Sequence, residues 1–556
     1  MTRRVPTFLS GLTLLAALSA CSGRDAVPPS TSYDDLTALF ADWREFQQPK
    51  LVDGVPDYTA AAMAAQHQAL DGFQARLRAI DPSGWPIVRQ ADHHIVRAEM
   101  NGLDFDHRVI RPWARDPAFY VTVFASESDQ PAREGHYARG GLELWTYPFP
   151  PGDRDAAEIG AGMRAVPGLL RQARTNLVGT GQDLWVFGTR SIRRQSDDLA
   201  RLAERLSDPA FDGLRADVER AREATDEFAA WLDEQAPAKT DPSGVGRDHY
   251  DWYLRNVLLL PYTWADEVTL MERELARALA SLALEEQRNA GLPPARPVES
   301  AEEYATRFDA GVTAYMWFLR NRGILTVRDD MEPSLRERAG TFTPGVREFF
   351  TEVDHHDPQV MRTHGFHWFD KGWMRNAPHP SPIRRVPLLY NIFNTRTEGH
   401  ATGWEEMMLQ AGLFDDRPRT RELIYILLAQ RAARALGDLR MHAREATLEE
   451  AAVFTSAQTP RRWLSLDGQL VRNEQHLYLR QPAYGTSYVI GKIQIEQLLG
   501  DRRRQLGTGF TMNAFMDEFT AAGLIPISLI RWELTGELTG NLSAVLVRDS
   551  VVSRKP

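Results

Sequence analysis

The chain has 556 residues, a net charge of -10 and an apolar content of 43%, the balance of a globular protein with a core large enough for one to three domains. Its acidic excess argues against a nucleic-acid partner. A lone cysteine excludes an internal disulfide, so stability has to come from packing.

The first twenty residues have the layout of an export signal. Arg3 and Arg4 are followed by an uncharged stretch from Phe8 to Leu18 and then by Leu18-Ser19-Ala20-Cys21. The apolar core is too short to span a bilayer. Small residues ahead of a cysteine resemble a bacterial lipobox, in which the cysteine is acylated and becomes the new N-terminus. Cys21 is the only cysteine, so a stray or buried thiol is the poorer explanation. The expectation is a lipoprotein that starts at a lipid-modified Cys21 and is held to the membrane by several acyl chains. Ser22 and Gly23 follow in place of an aspartate, which favours the periplasmic face of the outer membrane. Loss of residues 1–20 removes two arginines and no acid, taking the charge from -10 to -12. Residues 21–32, with two prolines and four serines or threonines, form the expected tether.

Helical patterns dominate from there. Apolar residues recur at three and four positions over 33–46 and 60–80. Residues 167–177 predict a helix that opens on Pro167, and 196–206 and 211–232 continue the style. Pro237, Pro242, Gly244 and Gly246 mark a boundary at 236–246. It separates an N-terminal helical layer (33–236) from a C-terminal helical half (247–556). In that half a helix is predicted over 266–289, and another over 423–439 whose stripe Leu423, Leu427, Leu428, Ala432, Leu436 and Leu439 reads as core-facing. Strand patterns are few: 120–124, 142–146 and 184–186. The fold class is mainly α, with a few short strands. No stretch after the signal approaches the ~20 apolar residues of a membrane span.

Four of the 14 histidines fall within 355–367. His364 and His367 stand three apart, a spacing that puts both imidazoles on one helix face and suits two ligands of one metal ion. Glu398, Thr402 and Glu405 share a face of a second predicted helix. A carboxylate from such a helix is a usual third ligand where zinc keeps a position open for water. Histidines beside Trp368, Phe369 and Trp373 can equally cap helices or bond within a core. The metallopeptidase motif H-E-x-x-H is absent, since no glutamate follows His364.

From residue 399 onward the chain resembles the bacterial family catalogued as domain of unknown function 885, whose members look like exported, gluzincin-type zinc peptidases. The family's E-G-W-A-L-Y-x-E is met by Glu398, Gly399, Ala401 and Glu405, with His400 and Gly403 replacing the tryptophan and tyrosine. Its D-x-x-x-H is met by Asp438 and His442. Its P-G-Q-A-x-S-Y-x-I-G-K is met by Pro482, Ser487, Tyr488, Ile490, Gly491 and Lys492. Looser similarity covers 167–177, 246–274 and 515–529. The first metal motif, H-E-x-x-P-G-H-H, is degenerate. It aligns with His364 to Lys371, where Gly365 replaces the glutamate and Asp370-Lys371 replaces the final histidine pair.

The resemblance implies a large helical gluzincin-like domain with a zinc ion on His364, His367 and Glu398. Asp370 or Glu405 would handle protons, Asp370 alternatively serving as a third oxygen ligand, and His442 and Tyr488 would steady the oxyanion of a cleaved peptide or related amide. The alternative is a non-catalytic binding lipoprotein that keeps the fold and cleft but has lost the metal.

Overall fold

The computed structural model describes residues 29–538, so the signal, Cys21 and most of the tether lie outside the described residues. The fold is mainly α. Its helices start where the sequence supplies caps. Ser32 accepts the Asp34 amide ahead of helix Tyr33–Phe46, whose first turn holds Asp34 and Asp35 and whose inner stripe is Leu36, Leu39, Phe40 and Trp43. A capping box between Thr263 and Asp266 opens helix Trp264–Arg288. Among the described residues no helix is long and apolar enough to cross a membrane.

Several predicted elements change on folding. Pro167 does not open a helix; it lies inside helix Asp153–Asn176. Val166, Leu169 and Leu170 bury that turn, and packing overrides the lost backbone hydrogen bond. The predicted strand at 184–186 belongs to helix Gln182–Arg205, where Leu184, Trp185 and Phe187 are simply its inner side. Strands Val123–Phe124 and Leu142–Glu143 pair in parallel. They are shorter than predicted because 3-10 turns at Pro117–Tyr120 and Leu144–Thr146 take over the rest. A small hairpin joins Leu51–Val52 to Val55–Pro56.

One large core joins helices of residues 36–110 to those of 245–532, and a second fills the space among residues 58–232. The segment 236–246 is stitched down between them. Gly246 N donates to the His442 carbonyl at 2.8 Å, and a Cβ on Gly244 would stand 2.0 Å from the Met441 carbonyl oxygen.

Helices Asn394–Gln410 and Pro418–His442 run through the main core and are buried on nearly every face. The predicted leucine stripe is buried, and so are the faces beside it. Their polar side chains survive there because they are paired. Lys492 reaches Glu274 and Glu406, each at 3.1 Å, and Arg277 bridges the same two carboxylates. Lys492 thus braces three helices.

Candidate metal centre

Helix Pro358–His364 ends on His364, and helix Phe366–Asn376 begins one residue after Gly365. The two histidines therefore flank a helix break and do not share one helix as predicted, yet their rings still meet, with centroids 5.1 Å apart. Gly365 allows the break. A Cβ there would lie 2.9 Å from Leu335 Cδ2 and 3.0 Å from the Arg362 carbonyl oxygen. The position that carries glutamate in the resembled motif thus has little room for a side chain.

Helix Asn394–Gln410 brings Glu398 against this break. Its Oε2 lies 3.4 Å from His367 Nε2 and 3.9 Å from His364 Nε2. The three residues offer ligand atoms all within 4.8 Å of one another. Zinc bonds of ~2.0–2.1 Å in a tetrahedron space the ligand atoms roughly 3.3–3.4 Å apart, so the donor set fits with a small adjustment at His364. His367 Nε2 and Glu398 Oε2 are also buried without a hydrogen-bond partner. In the metal-free protein the two form an ion pair at 3.4 Å, long for a hydrogen bond, and a shared cation would bind both.

The surrounding groups set the charge. Burial alone would lower the His367 pKa, but the charges of Asp129 and Glu398 outweigh it and raise the imidazole to about 9. Glu398 moves oppositely. Burial pushes it up, and the His367 and His364 imidazoles with the Tyr484 hydroxyl bring it to about 2. His364 falls below its usual value through burial and then the Arg431 guanidinium. Burial and the Asp129 charge raise Glu134 to about 7.

A His367 pKa above its unfolded value means the folded metal-free protein binds the extra proton more tightly. That contribution, on the order of 3 kcal/mol, is fully present below about pH 6.5 and is lost as pH rises through about 9. Urea midpoints at pH 6 and pH 9.5 should therefore fall further for the wild type than for His367→Gln. Equal falls would refute the assignment.

Glu405 and Arg431 orient His364. Glu405 Oε1 is 2.9 Å from His364 Nδ1, and Arg431 clamps both Glu405 oxygens at 2.5 and 2.8 Å. Arg431 Nη2 also approaches Nδ1 at 3.1 Å. A carboxylate only accepts and a guanidinium only donates, so the two neighbours favour opposite tautomers. The shorter carboxylate contact places the proton on Nδ1 and leaves Nε2 for a cation.

The remaining sequence candidates have other partners. Asp370, expected as base or ligand, accepts from Arg396 at 2.8 and 2.9 Å, so one guanidinium engages both its oxygens. His442, expected at the oxyanion, bonds the Tyr478 carbonyl through Nε2 at 3.1 Å and accepts from Val245 N through Nδ1 at 3.4 Å. Burial drops its pKa to about 4. With both nitrogens on backbone, it secures the 236–246 segment. Asp438 accepts the Gly485 amide at 2.9 Å and so fixes the start of helix Tyr484–Leu506. Tyr488 packs its ring under Arg434 at 4.1 Å. Burial, followed by the Glu398 charge, raises its pKa.

Four contributors escaped the sequence reading. Tyr484 donates to Glu398 Oε1 at 2.6 Å, and its hydroxyl oxygen lies 3.1 Å from Glu134 Oε1. Gln130 Nε2 donates to Glu398 Oε1 at 2.8 Å. Asp129 and Glu134 with Glu398 form a second group of three acidic oxygens. Tyr484 sits inside a matched motif, four residues before Tyr488. Asp129, Gln130 and Glu134 come from the acid-rich stretch between two predicted strands, where no periodicity sets them apart from a solvated loop.

The fold and cluster together define a helical protein with a buried histidine–carboxylate centre. The chain belongs to the family described as "Bacterial protein of unknown function (DUF885)", whose family model matches residues 48–368 and 365–534. Two solved structures share the fold. A candidate lipoprotein of unknown function from Shewanella oneidensis is 15% identical, with a TM-score of 0.68, covering 90% of this chain and 99% of its own. A candidate lipoprotein from Colwellia psychrerythraea is 13% identical, with a TM-score of 0.60, covering 93% and 98%. No curated protein matches the chain.

Proposed function

We propose that this protein is an envelope lipoprotein with a gluzincin-like, metal-dependent hydrolase centre for peptide or related amide bonds. One observation carries the reading: His367 Nε2 and Glu398 Oε2, buried and without a hydrogen bond among the described residues, face each other at 3.4 Å beside His364 Nε2. His364, His367 and Glu398 would hold zinc, which supplies Lewis acidity and a water whose pKa drops from ~15.7 to ~7. Glu405 and Arg431 fix the His364 tautomer, and Tyr484 and Gln130 hold Glu398 in place. The sole cysteine after a lipobox-like tract supports anchoring at Cys21, as do the candidate lipoproteins of like fold. Attachment to the outer membrane, facing the periplasm, follows from Ser22 and Gly23.

A second reading, a metal-binding lipoprotein without turnover, is favoured by Gly365 and by the arginine pairing of Asp370 and Glu405. Metal analysis of the purified protein should find one zinc per chain. His364→Ala and Glu398→Gln should each weaken zinc more than about 100-fold, beyond the loss of an outer partner. Folded protein that stays metal-free in the presence of zinc, without turnover, would end both and leave a non-catalytic binding lipoprotein that has lost the metal. Stoichiometric zinc without peptide turnover would leave the second.

A further inference from the structure

Carboxylates of the C-terminal half beside the centre carry their own guanidinium: Glu405 has Arg431 and Asp370 has Arg396. Asp129 and Glu134 do not. They lie between strands Val123–Phe124 and Leu142–Glu143, and with Glu398 they place three oxygens within 4.8 Å of one another. The hydrogen-bond donors that hold them are neutral, and the His367 imidazole that feels the Asp129 charge gives up its own on binding zinc. Glu134 accepts from Ser128 Oγ at 2.7 Å and has Tyr484 Oη 3.1 Å away. Among the described residues the hydrogen-bond contact of Asp129 is a long one, to the Gln130 amide at 3.5 Å.

Gln130 sharpens the point. It is 2% exposed, and its Oε1 is buried with no donor. Its Nε2 touches Asp129 Oδ1, Glu398 Oε1 and His367 Nδ1, which keeps the amide in the same cluster. Turning the amide over would set oxygen against oxygen at Glu398, so the assignment stands. This cluster therefore presents negatively charged acceptors with few donors of their own. The complement is a compact cation with several N–H donors, which is a primary ammonium.

Glu398 belongs to both trios, so such an ammonium sits beside the atoms that would engage a carbonyl. In a peptide the free α-amine and the first carbonyl carbon are two bonds apart, which matches that adjacency. The loop is also pinned over the helix carrying His367. Glu127 pairs with Lys371 and Arg338, each at 2.5 Å, and Lys371 donates to the Ser128 carbonyl at 2.7 Å.

We propose that Asp129, Glu134 and the Gln130 carbonyl bind the free amino terminus of a peptide, so that the centre selects amine-ended substrates. The inference rests on the reading that the His364–His367–Glu398 centre engages peptides.

Calorimetric titration of the zinc-loaded mature protein with tetra-alanine and N-acetyl-tetra-alanine tests it without requiring turnover. The free-amine peptide should bind at least about tenfold tighter. Asp129→Asn and Glu134→Gln should each remove about tenfold of that affinity, leave the acetylated peptide unchanged and keep one zinc per chain. Any cleavage should release free alanine from the amino end. Equal affinities for the two peptides, or no binding of either, would overturn the proposal. So would two zinc ions per chain falling to one in Asp129→Asn, which would mark a second metal site. Amine-selective binding without cleavage would overturn only the hydrolase reading, whereas cleavage indifferent to acetylation would overturn only the amine site.

Discussion

Replacing Gly399 or Gly491 by alanine should destabilise the protein by at least about 3 kcal/mol, among the larger effects of any single substitution. The two glycines meet where helix Asn394–Gln410 crosses helix Tyr484–Leu506. A Cβ on Gly399 would stand 2.2 Å from Gly491 Cα, and one on Gly491 would stand 2.1 Å from the Thr395 carbonyl oxygen. Both clashes are with backbone, so no side chain can swing away and the helices must part. Glu398 is the neighbour of one glycine, and Tyr484 starts the helix of the other. The same substitution should therefore loosen the Tyr484–Glu398 contact and weaken zinc. Gly213→Ala is the control: its Cβ would meet nothing within 4 Å, and stability should hold or rise by up to ~1 kcal/mol. Urea unfolding midpoints decide the matter. A Gly399→Ala protein as stable as the wild type would mean the crossing is wider than described.

Arg431→Leu should cost about 3–5 kcal/mol, because it leaves the Glu405 carboxylate buried without its counter-charge. Zinc affinity should fall about 10–100-fold in step, since His364 loses the arrangement that holds its tautomer. Adding Glu405→Leu should restore most of the stability, two apolar groups replacing two charges in a packed interior. It should not restore the zinc affinity, because Nδ1 then has no carboxylate. The double-mutant cycle separates the two roles of the pair. Full recovery of both quantities would show that Glu405 does not orient His364.

Much of the helical plan was legible. Helix Tyr33–Phe46 follows its apolar spacing from end to end, because caps and periodicity are local. Errors came where packing outvotes local preference, as at Pro167 inside a helix and Leu184–Val186 read as a strand. The matched motifs also read differently once folded. Lys492, Asp438 and His442 look chemical in one dimension, yet Lys492 braces helices, Asp438 fixes a helix start and His442 holds a backbone segment.

By itself, then, the sequence determined a mainly helical chain with a lipobox-like start and three ligand-type side chains, His364, His367 and Glu398, since residue types and short spacings are written along the chain. The tertiary structure alone decided which charges face which. Asp370 and Glu405 are matched to arginines 26 positions away, and Gln130 reaches Glu398 across 268 positions. Such pairings depend on how helices cross, and the crossing is set by contacts like Gly399 on Gly491 that no local pattern encodes.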